Sequence, residues 1–223
     1  MTFRAAILDL DGTLLDTLAD IGNAANRVLV EHGFPPHPLA SYREFIGEGV
    51  ARLIQRVLPD KAHDAAIIQS CVEAYRREYT RSWNAQTTPY PEVPAMLDGL
   101  VARGFKLAVL SNKPDEFTQQ CVREFLVKWK FAVILGATDA FPRKPNPASA
   151  HETARRLAVA PAECLYVGDS GVDMQTASAA GMHAVGVLWG FRGEAELQRD
   201  GAQVLIKHPV ELLEWVDQNR ELS

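Results

Sequence analysis

The sequence predicts an α/β fold, in which a Rossmann-like, mainly parallel sheet has helices on both faces and contains an inserted, all-helical cap domain. Short apolar runs alternate with amphipathic stretches of helical spacing, which is the order found in doubly wound sheets. A long segment after the first run has helical spacing and no convincing strand. With 223 residues, 47% of them hydrophobic, the chain can bury a core of domain size.

Six apolar runs are the predicted strands, because each is bounded by Gly, Pro, Asp or Asn. They cover residues 4–10, 106–111, 131–136, 164–168, 183–188 and 203–206. The runs are continuously apolar, so both faces of the sheet should be covered. Apolar residues at helical spacing within 93–100, 117–125 and 212–216 predict helices that cover these faces.

The segment between the first two strands predicts a separate cap. Leu18, Ile21 and Ala25 begin a series at helical spacing that continues to about residue 79. A crossover between parallel strands needs only about a dozen residues, and this segment is far longer. We expect a core domain of residues 1–15 and 86–223 and a cap domain of residues 16–85, with the Pro-rich stretch 87–91 as the hinge. Ser41 and Glu44 have the spacing of a capping box.

Composition excludes several classes of protein. The net charge is −5 and there is no basic cluster, which argues against nucleic-acid binding. The longest uncharged stretch, 174–191, contains polar residues that do not fit a membrane span, and Asp9 interrupts the only candidate for a signal peptide. Three widely spaced cysteines indicate buried thiols in a reducing compartment. We expect a cytoplasmic monomer or homodimer without nucleic-acid or membrane partners.

Polar residues occur at or after the ends of four predicted strands. They are Asp9-Leu10-Asp11-Gly12-Thr13, Ser111-Asn112, Lys144-Pro145, and Gly168-Asp169-Ser170 with Asp173. Ligands bind beyond the carboxyl ends of the strands in a doubly wound sheet, so these residues should share one edge. Taken singly, a strand-end Asp or Ser often caps a helix or forms a turn, and a Lys is often solvated.

Taken together, four acids at one edge indicate a bound cation. Two carboxylates about 4 Å apart repel by about 4 kcal/mol in an effective dielectric of about 20. A hard divalent cation, Mg²⁺ for preference, would relieve this repulsion, held by carboxylate oxygens, a carbonyl, water and a substrate phosphate.

With these motifs the chain resembles the haloacid dehalogenase superfamily, in its branch of phosphatases that use an Asp nucleophile and have a helical cap after the first strand. The resemblance spans nearly the whole chain, and the four motifs occur in the family's order. The pattern D-x-D-G-T after a strand is specific, whereas Ser111 or Lys144 alone would be a weak signal.

The resemblance implies a role for each motif residue. Asp9 would be the nucleophile, and Asp11 the general acid and base. Ser111 would donate a hydrogen bond to a phosphoryl oxygen, and Lys144 would balance negative charge.

The resemblance also implies the remaining ligands. Asp9, Asp11 through its backbone carbonyl, and Asp169 would hold Mg²⁺, while Asp173 would lie outside the metal ligands and orient a bound water or Lys144. Gly12, Thr13 and Asn112 would bind substrate, with backbone N–H groups near Gly12 and Asn112 as phosphoryl donors.

Two further stretches bear on the substrate. Gly47-Glu48-Gly49-Val50-Ala51-Arg52 looks like the substrate loop of phosphoglycolate phosphatases, so Arg52 is our candidate for binding a substrate carboxylate, with a cap-surface role as the alternative. Arg52 also replaces the third glycine of a dinucleotide fingerprint, which argues against that motif. Trp189-Gly190-Phe191-Arg192 resembles the same subfamily, or is an aromatic turn that packs on the core.

The resemblance therefore implies a Mg²⁺-dependent phosphomonoesterase that hydrolyses a small-molecule phosphate ester through an aspartyl phosphate, with 2-phosphoglycolate as the favoured substrate. Alternatives within the superfamily are a sugar phosphomutase and a pyrophosphatase, while a dehalogenase would not need Asp11. From another class, a phospho-accepting signalling protein uses similar residues but has no use for the helical insertion. A catalytically inactive phosphate-binding protein is a further alternative.

Overall fold

The structure is a computed structural model that describes residues 3–220. Its strands are β1 (Ala5–Leu8), β2 (Leu15–Asp16), β3 (Thr88–Pro89), β4 (Lys106–Pro114), β5 (Phe131–Ala137), β6 (Cys164–Gly168), β7 (His183–Val187) and β8 (Val204–Ile206). Six of them form a parallel sheet in the order β5-β4-β1-β6-β7-β8. The predicted mainly parallel sheet is therefore confirmed.

Helices cover both faces of this sheet. They are α1 (Leu18–Glu31), α2 (Tyr42–Phe45), α3 (Val50–Val57), α4 (Ala65–Ser82), α5 (Val93–Ala102), α6 (Asp115–Phe125), α7 (Ala148–Leu157), α8 (Gly171–Ala179), α9 (Glu194–Arg199) and α10 (Glu211–Arg220). Because side chains alternate along a strand, Ala6 and Leu8 of β1 pack in the apolar cluster of α5, α6 and α10. Ala5 and Ile7 pack in the cluster of α7, α8 and α9.

Helices α1 to α4 enclose an apolar cluster of their own, to which all four contribute. The six-stranded sheet and helices α5 to α10 are called the sheet domain here. Two of its aromatic residues, Phe117 on α6 and Phe191 after β7, join this cluster, so the four helices pack on the sheet domain through apolar contacts. The capping-box prediction at Ser41 was wrong: its backbone is already helical and its side chain makes no capping hydrogen bond. A capping box occurs instead at the start of α8, between Ser170 and Asp173.

A two-stranded ribbon joins the four helices to the sheet. β2 pairs antiparallel with β3, Leu15 opposite Pro89 and Asp16 opposite Thr88. Beside it, the buried carboxylate of Asp20 accepts hydrogen bonds from the backbone of Gln86 and Thr87 and from the Thr87 hydroxyl, at 2.7–3.0 Å. The outgoing and returning passages of the chain therefore lie side by side.

Within residues 3–220, no helix is both long enough and apolar enough to cross a membrane.

Candidate active site

The site lies where β1 is flanked by β4 on one side and β6 on the other. This position is the switch point of the sheet, beyond the carboxyl ends of the strands. A cavity of about 750 Å³, including its opening to solvent, separates this edge from helices α1, α3 and α4. Asp9, Asp11, Ser111, Asn112 and Asp169 all line it.

Three buried aspartates lie close together at this edge. Asp9, Asp169 and Asp173 each place a carboxylate oxygen within 4.8 Å of the others. Glycines make this approach possible: a Cβ at Gly190 would lie 2.3 Å from the Cβ of Asp169, and one at Gly168 would lie 2.4 Å from the Cβ of Asp173. The crowding predicted for these three acids is present.

Lys144 partly offsets the charge of the three acids. Its Nζ lies 3.0 Å from Oδ1 of Asp9 and 2.6 Å from Oδ1 of Asp173. The backbone of Lys144 is fixed by Asn112, whose Oδ1 accepts from the Lys144 N–H at 2.9 Å and whose Nδ2 donates to the Lys144 carbonyl at 3.1 Å. The side chain of Asn112, expected to bind substrate, therefore holds Lys144 in place.

One lysine does not balance this much buried charge. Burial raises the pKa of Asp9 to about 7; Lys144 lowers it, and Asp173 raises it. Burial raises the pKa of Asp169 to about 8, with Asp173 and then Asp9 as further causes. The free energy of keeping both carboxylates ionised is therefore high without an additional positive charge.

The donor set fits Mg²⁺. Asp173 is already hydrogen-bonded by Lys144 and by the hydroxyl of Ser170, at 2.6 and 2.5 Å. Asp9 and Asp169 line the cavity, and each oxygen of Asp169 accepts one hydrogen bond from the described residues, which leaves it a second lone pair. Hard oxygen donors are the ligands that Mg²⁺ prefers. The carboxylate of Asp11, in contrast, is outside this cluster, so a metal contact from Asp11 is restricted to its backbone carbonyl.

Asp11 forms an ion pair with a second buried lysine, Lys113. Nζ of Lys113 lies 2.9 and 3.2 Å from the two carboxylate oxygens of Asp11, and it donates a hydrogen bond to the hydroxyl of Tyr79 at 2.7 Å. Burial is the largest single influence on the pKa of Lys113 and lowers it, but Asp11 and Tyr79 among others raise it, and the net pKa lies well above its ordinary value. Neither Lys113 nor Tyr79 was among the residues that the sequence predicted for the site.

Gly12 and Thr13 surround Asp169 and do not offer donors to the cavity. The N–H of Gly12 donates to the carbonyl of Leu15 at 2.9 Å. The hydroxyl of Thr13 is fully buried and donates to Oδ1 of Asp169 at 3.2 Å. In this structure these groups shape the loop and orient Asp169, and their role in binding substrate stays a prediction.

Ser111 lines the cavity, and its hydroxyl donates to no other residue between 3 and 220. Its Oγ accepts a hydrogen bond from the N–H of Lys113 at 3.3 Å. The pairing of β4 with β5 changes register between Leu110 and Pro114, and such irregularities redirect side chains. Three consecutive residues, Ser111, Asn112 and Lys113, consequently line the cavity.

Arg52 does not line the cavity. It lies on an exposed face of α3, where its Nη1 donates to Oε1 of Gln55 at 3.2 Å and its Nε lies 4.0 Å from Glu48. Arg76 of α4, which was not among the residues predicted for the site, lines the cavity instead. It lies three residues before Tyr79, a spacing that places two residues on the same face of a helix, and this was the available signal.

Several known proteins are similar to this chain. Residues 6–187 match the sequence model of the haloacid dehalogenase-like hydrolases. Phosphoglycolate phosphatase of Aquifex aeolicus is 32% identical over 214 residues, covering 96% of this chain and 97% of the relative. Phosphoglycolate phosphatase of Xylella fastidiosa (strain 9a5c) is 35% identical over 195 residues, covering 86% and 83%.

The chain belongs to the haloacid dehalogenase-like hydrolase family. A crystal structure from Lactobacillus delbrueckii subsp. bulgaricus superposes with a TM-score of 0.91 at 31% identity, covering 97% of this chain and 99% of the other. A haloacid dehalogenase-like hydrolase from Streptococcus pneumoniae has the same fold, with a TM-score of 0.85 at 23% identity, and covers 96% and 98%.

In this hydrolase the turn after β7 contacts three parts of the molecule. Nε1 of Trp189 donates to the carbonyl of Thr13 at 2.9 Å, and the N–H of Phe191 donates to Oδ2 of Asp169 at 2.8 Å. Nη2 of Arg192 donates to the carbonyl of Ile46 at 2.8 Å. The turn thus packs on the sheet domain, orients Asp169 and contacts the helical insertion.

Proposed function

We propose that this hydrolase is a Mg²⁺-dependent phosphomonoesterase that forms an aspartyl phosphate on Asp9. The observation that most supports this function is the different placement of Asp9 and Asp11. Asp9 lies among Lys144, Asp169 and Asp173, where an attacking carboxylate needs compensating charge. Asp11 lies apart, on Lys113, where it is available for proton transfer.

In the first step an oxygen of Asp9 attacks phosphorus, and the bond between phosphorus and the ester oxygen breaks. Asp11 gives a proton to the departing oxygen, so the alcohol leaves neutral. In the second step Asp11 takes a proton from water, which attacks the same phosphorus. The bond to Asp9 breaks, inorganic phosphate leaves, and both aspartates return to their starting states.

Four side chains and one backbone carbonyl would bind the phosphoryl group and the metal. Ser111 donates its free hydroxyl proton to a phosphoryl oxygen, and Lys144 offsets charge on Asp9 and the phosphoryl group. Asp9, Asp169 and the backbone carbonyl of Asp11 would hold Mg²⁺. When bound, Mg²⁺ supplies positive charge that reduces the repulsion between Asp9 and the phosphate.

We favour 2-phosphoglycolate as the substrate, because two relatives are named phosphoglycolate phosphatase and because the cavity suits an anionic leaving group. Besides Lys113, which is paired with Asp11, two basic side chains of the described residues line it: Arg76 and Arg192. Nη1 of Arg192 is buried without a hydrogen-bond partner among those residues, and an unpaired buried donor favours binding of an acceptor.

The test is phosphate release from a panel that contains 2-phosphoglycolate, other small phosphomonoesters, a bisphosphorylated sugar and pyrophosphate. We expect repeated turnover on phosphomonoesters, highest kcat/KM on 2-phosphoglycolate, and no release from Asp9→Asn with its fold retained. Transfer between positions of the sugar would support a mutase, and preferential hydrolysis of pyrophosphate a pyrophosphatase. A single phosphorylation without turnover would support a signalling protein.

A further inference from the structure

A chain of contacts connects the acid and base residue to the helical insertion. Asp11 follows β1, Lys113 is near the end of β4, and Tyr79 lies on α4. Nζ of Lys113 contacts both carboxylate oxygens of Asp11 and the hydroxyl of Tyr79, and it lies 4.9 Å from the centre of the Tyr79 ring. Lys113 is the only residue in this chain of contacts that touches both of the others.

Packing holds each member of this chain in place. The side chain of Lys113 is 4% exposed and that of Asp11 is 12% exposed. The ring of Tyr79 stacks on Tyr75, with centres 5.4 Å apart, and meets the edge of Phe117 at 5.0 Å. Because Phe117 belongs to α6, the position of the Tyr79 hydroxyl depends on the contact between α4 and the sheet domain.

We propose that Lys113 and Tyr79 are positioning residues for Asp11, so that Asp11 is correctly placed for proton transfer when α4 covers the cavity. This inference rests on the proposed function. Lys113 orients the carboxylate of Asp11, and Tyr79 orients the ammonium of Lys113. One oxygen of Asp11 keeps the hydrogen bond to Lys113 while the other gives its proton to the ester oxygen as the phosphorus–oxygen bond breaks.

Misplacing Asp11 should affect substrates according to how much their leaving group needs a proton. Proton transfer to the leaving oxygen matters for an alkyl phosphate, whose alkoxide leaves poorly without a proton. It matters little for p-nitrophenyl phosphate, whose anion is stable. Since kcat/KM covers the steps up to the first irreversible one, it isolates the step in which the leaving oxygen is protonated.

The experiment compares ethyl phosphate with p-nitrophenyl phosphate, and with 2-phosphoglycolate as a third substrate, for the wild type, Lys113→Met and Tyr79→Phe in the presence of Mg²⁺. For Lys113→Met we expect kcat/KM on ethyl phosphate to fall by about 10- to 100-fold more than on p-nitrophenyl phosphate. Tyr79→Phe keeps the ring packing and removes one hydrogen bond, so it should show the same bias, by about threefold to tenfold.

Tyr42→Phe is the matched control. Tyr42 is a buried tyrosine of the same apolar cluster, and its hydroxyl donates to Oδ1 of Asn26 at 2.8 Å, away from the cavity lining. This variant should change the two substrates equally. Thermal unfolding of all variants shows whether each is folded, and Tyr79→Phe tests the inference if Lys113→Met does not fold.

Two results would overturn the inference while leaving the proposed function intact. One is an equal loss on both substrates in a folded Lys113→Met or Tyr79→Phe variant, which is the behaviour of a structural contact. The other is a loss on 2-phosphoglycolate with none on ethyl phosphate, which would make Lys113 a carboxylate-binding residue. If the wild type hydrolyses no phosphomonoester, the proposed function fails and the positioning role with it.

Discussion

A side-chain carbon at Gly12 would lie 2.3 Å from Oδ2 of Asp169. Gly12 also has a positive φ of 85°, a backbone conformation that L residues adopt at a cost. Both facts follow from the path of the loop after β1, which returns beside Asp169 and allows Thr13 to donate to it. The glycine of the D-x-D-G-T motif is therefore required by the position of an aspartate more than 150 residues later.

Gly12→Ala should lower kcat/KM by about 100-fold or more, because displacing Asp169 by even about an ångström misplaces the groups beside the phosphate. Gly104→Ala is the control. Gly104 also has a positive φ, of 78°, but a Cβ there would meet nothing within 4 Å. It should lose about 1–2 kcal/mol of stability and keep its activity. Equal activities of the two variants would contradict the collision at Asp169.

Mg²⁺ should raise the melting temperature of the wild type, because a ligand that binds only the folded state stabilises it. Asp169→Asn should abolish this increase. The fold should survive, since an amide oxygen still accepts from the Phe191 N–H and the amide nitrogen can donate to the Thr13 hydroxyl. Differential scanning calorimetry with Mg²⁺ and with a chelator measures both effects. Asp98→Asn, a substitution on an exposed face of α5, should respond like the wild type.

Arg76→Gln should lower kcat/KM for 2-phosphoglycolate by about tenfold, with little change for p-nitrophenyl phosphate, because it removes a charged donor beside the leaving group. Arg52→Gln should leave both values unchanged, since Arg52 lies outside the cavity lining. Steady-state kinetics of the two variants side by side decide between the arginines. A selective loss in Arg52→Gln alone would restore the assignment that the sequence favoured.

His183→Phe should stabilise the protein more at acid pH than at neutral pH. The imidazole lies between Phe3 and Trp215, with ring centres 5.2 and 4.9 Å away, and burial lowers the pKa of His183. Below about pH 6.5, its ordinary pKa, the unfolded chain binds a proton that the folded chain binds less readily. Unfolding free energy is therefore lost as the pH falls.

Urea unfolding at about pH 8 and about pH 5 measures this effect as the difference in unfolding free energy between the His183→Phe variant and the wild type. The difference should grow toward the lower pH. A difference of the same size at both values would exclude His183 as a source of the acid dependence.

The sequence predicted that the four motifs share one edge of the sheet. Each motif lies at or after the end of an apolar run, and parallel strands bring those ends to the same edge. Cys164–Gly168 was predicted with its observed bounds, since apolar residues fill it and Gly168 ends it. The second predicted strand stopped at residue 111, whereas β4 continues to Pro114. The irregular register that extends it depends on pairing with β5, which a single sequence does not reveal.

Contacts between distant elements were the part that sequence reasoning missed. The ion pair of Lys113 with Asp11 joins residues 102 positions apart, and no local spacing indicates which lysine meets which acid. The ribbon of β2 and β3 has two residues in each strand, too few to show a period. Arg52 and Arg76 are both on amphipathic helices, and only the packing of α3 and α4 decides which one lines the cavity.

The β2–β3 ribbon has a consequence for how this architecture can be modified. Both passages between the sheet and the four helices run through neighbouring residues, Leu15 and Asp16 outward and Thr88 and Pro89 inward. A helical segment of different size or chemistry can therefore replace α1 to α4 between these two strands without changing the order of the strands in the six-stranded sheet. The residues proposed to form and break the bond to phosphorus would remain at the edge of the sheet. Replacing the four helices would therefore change which substrates are selected while the reaction is retained.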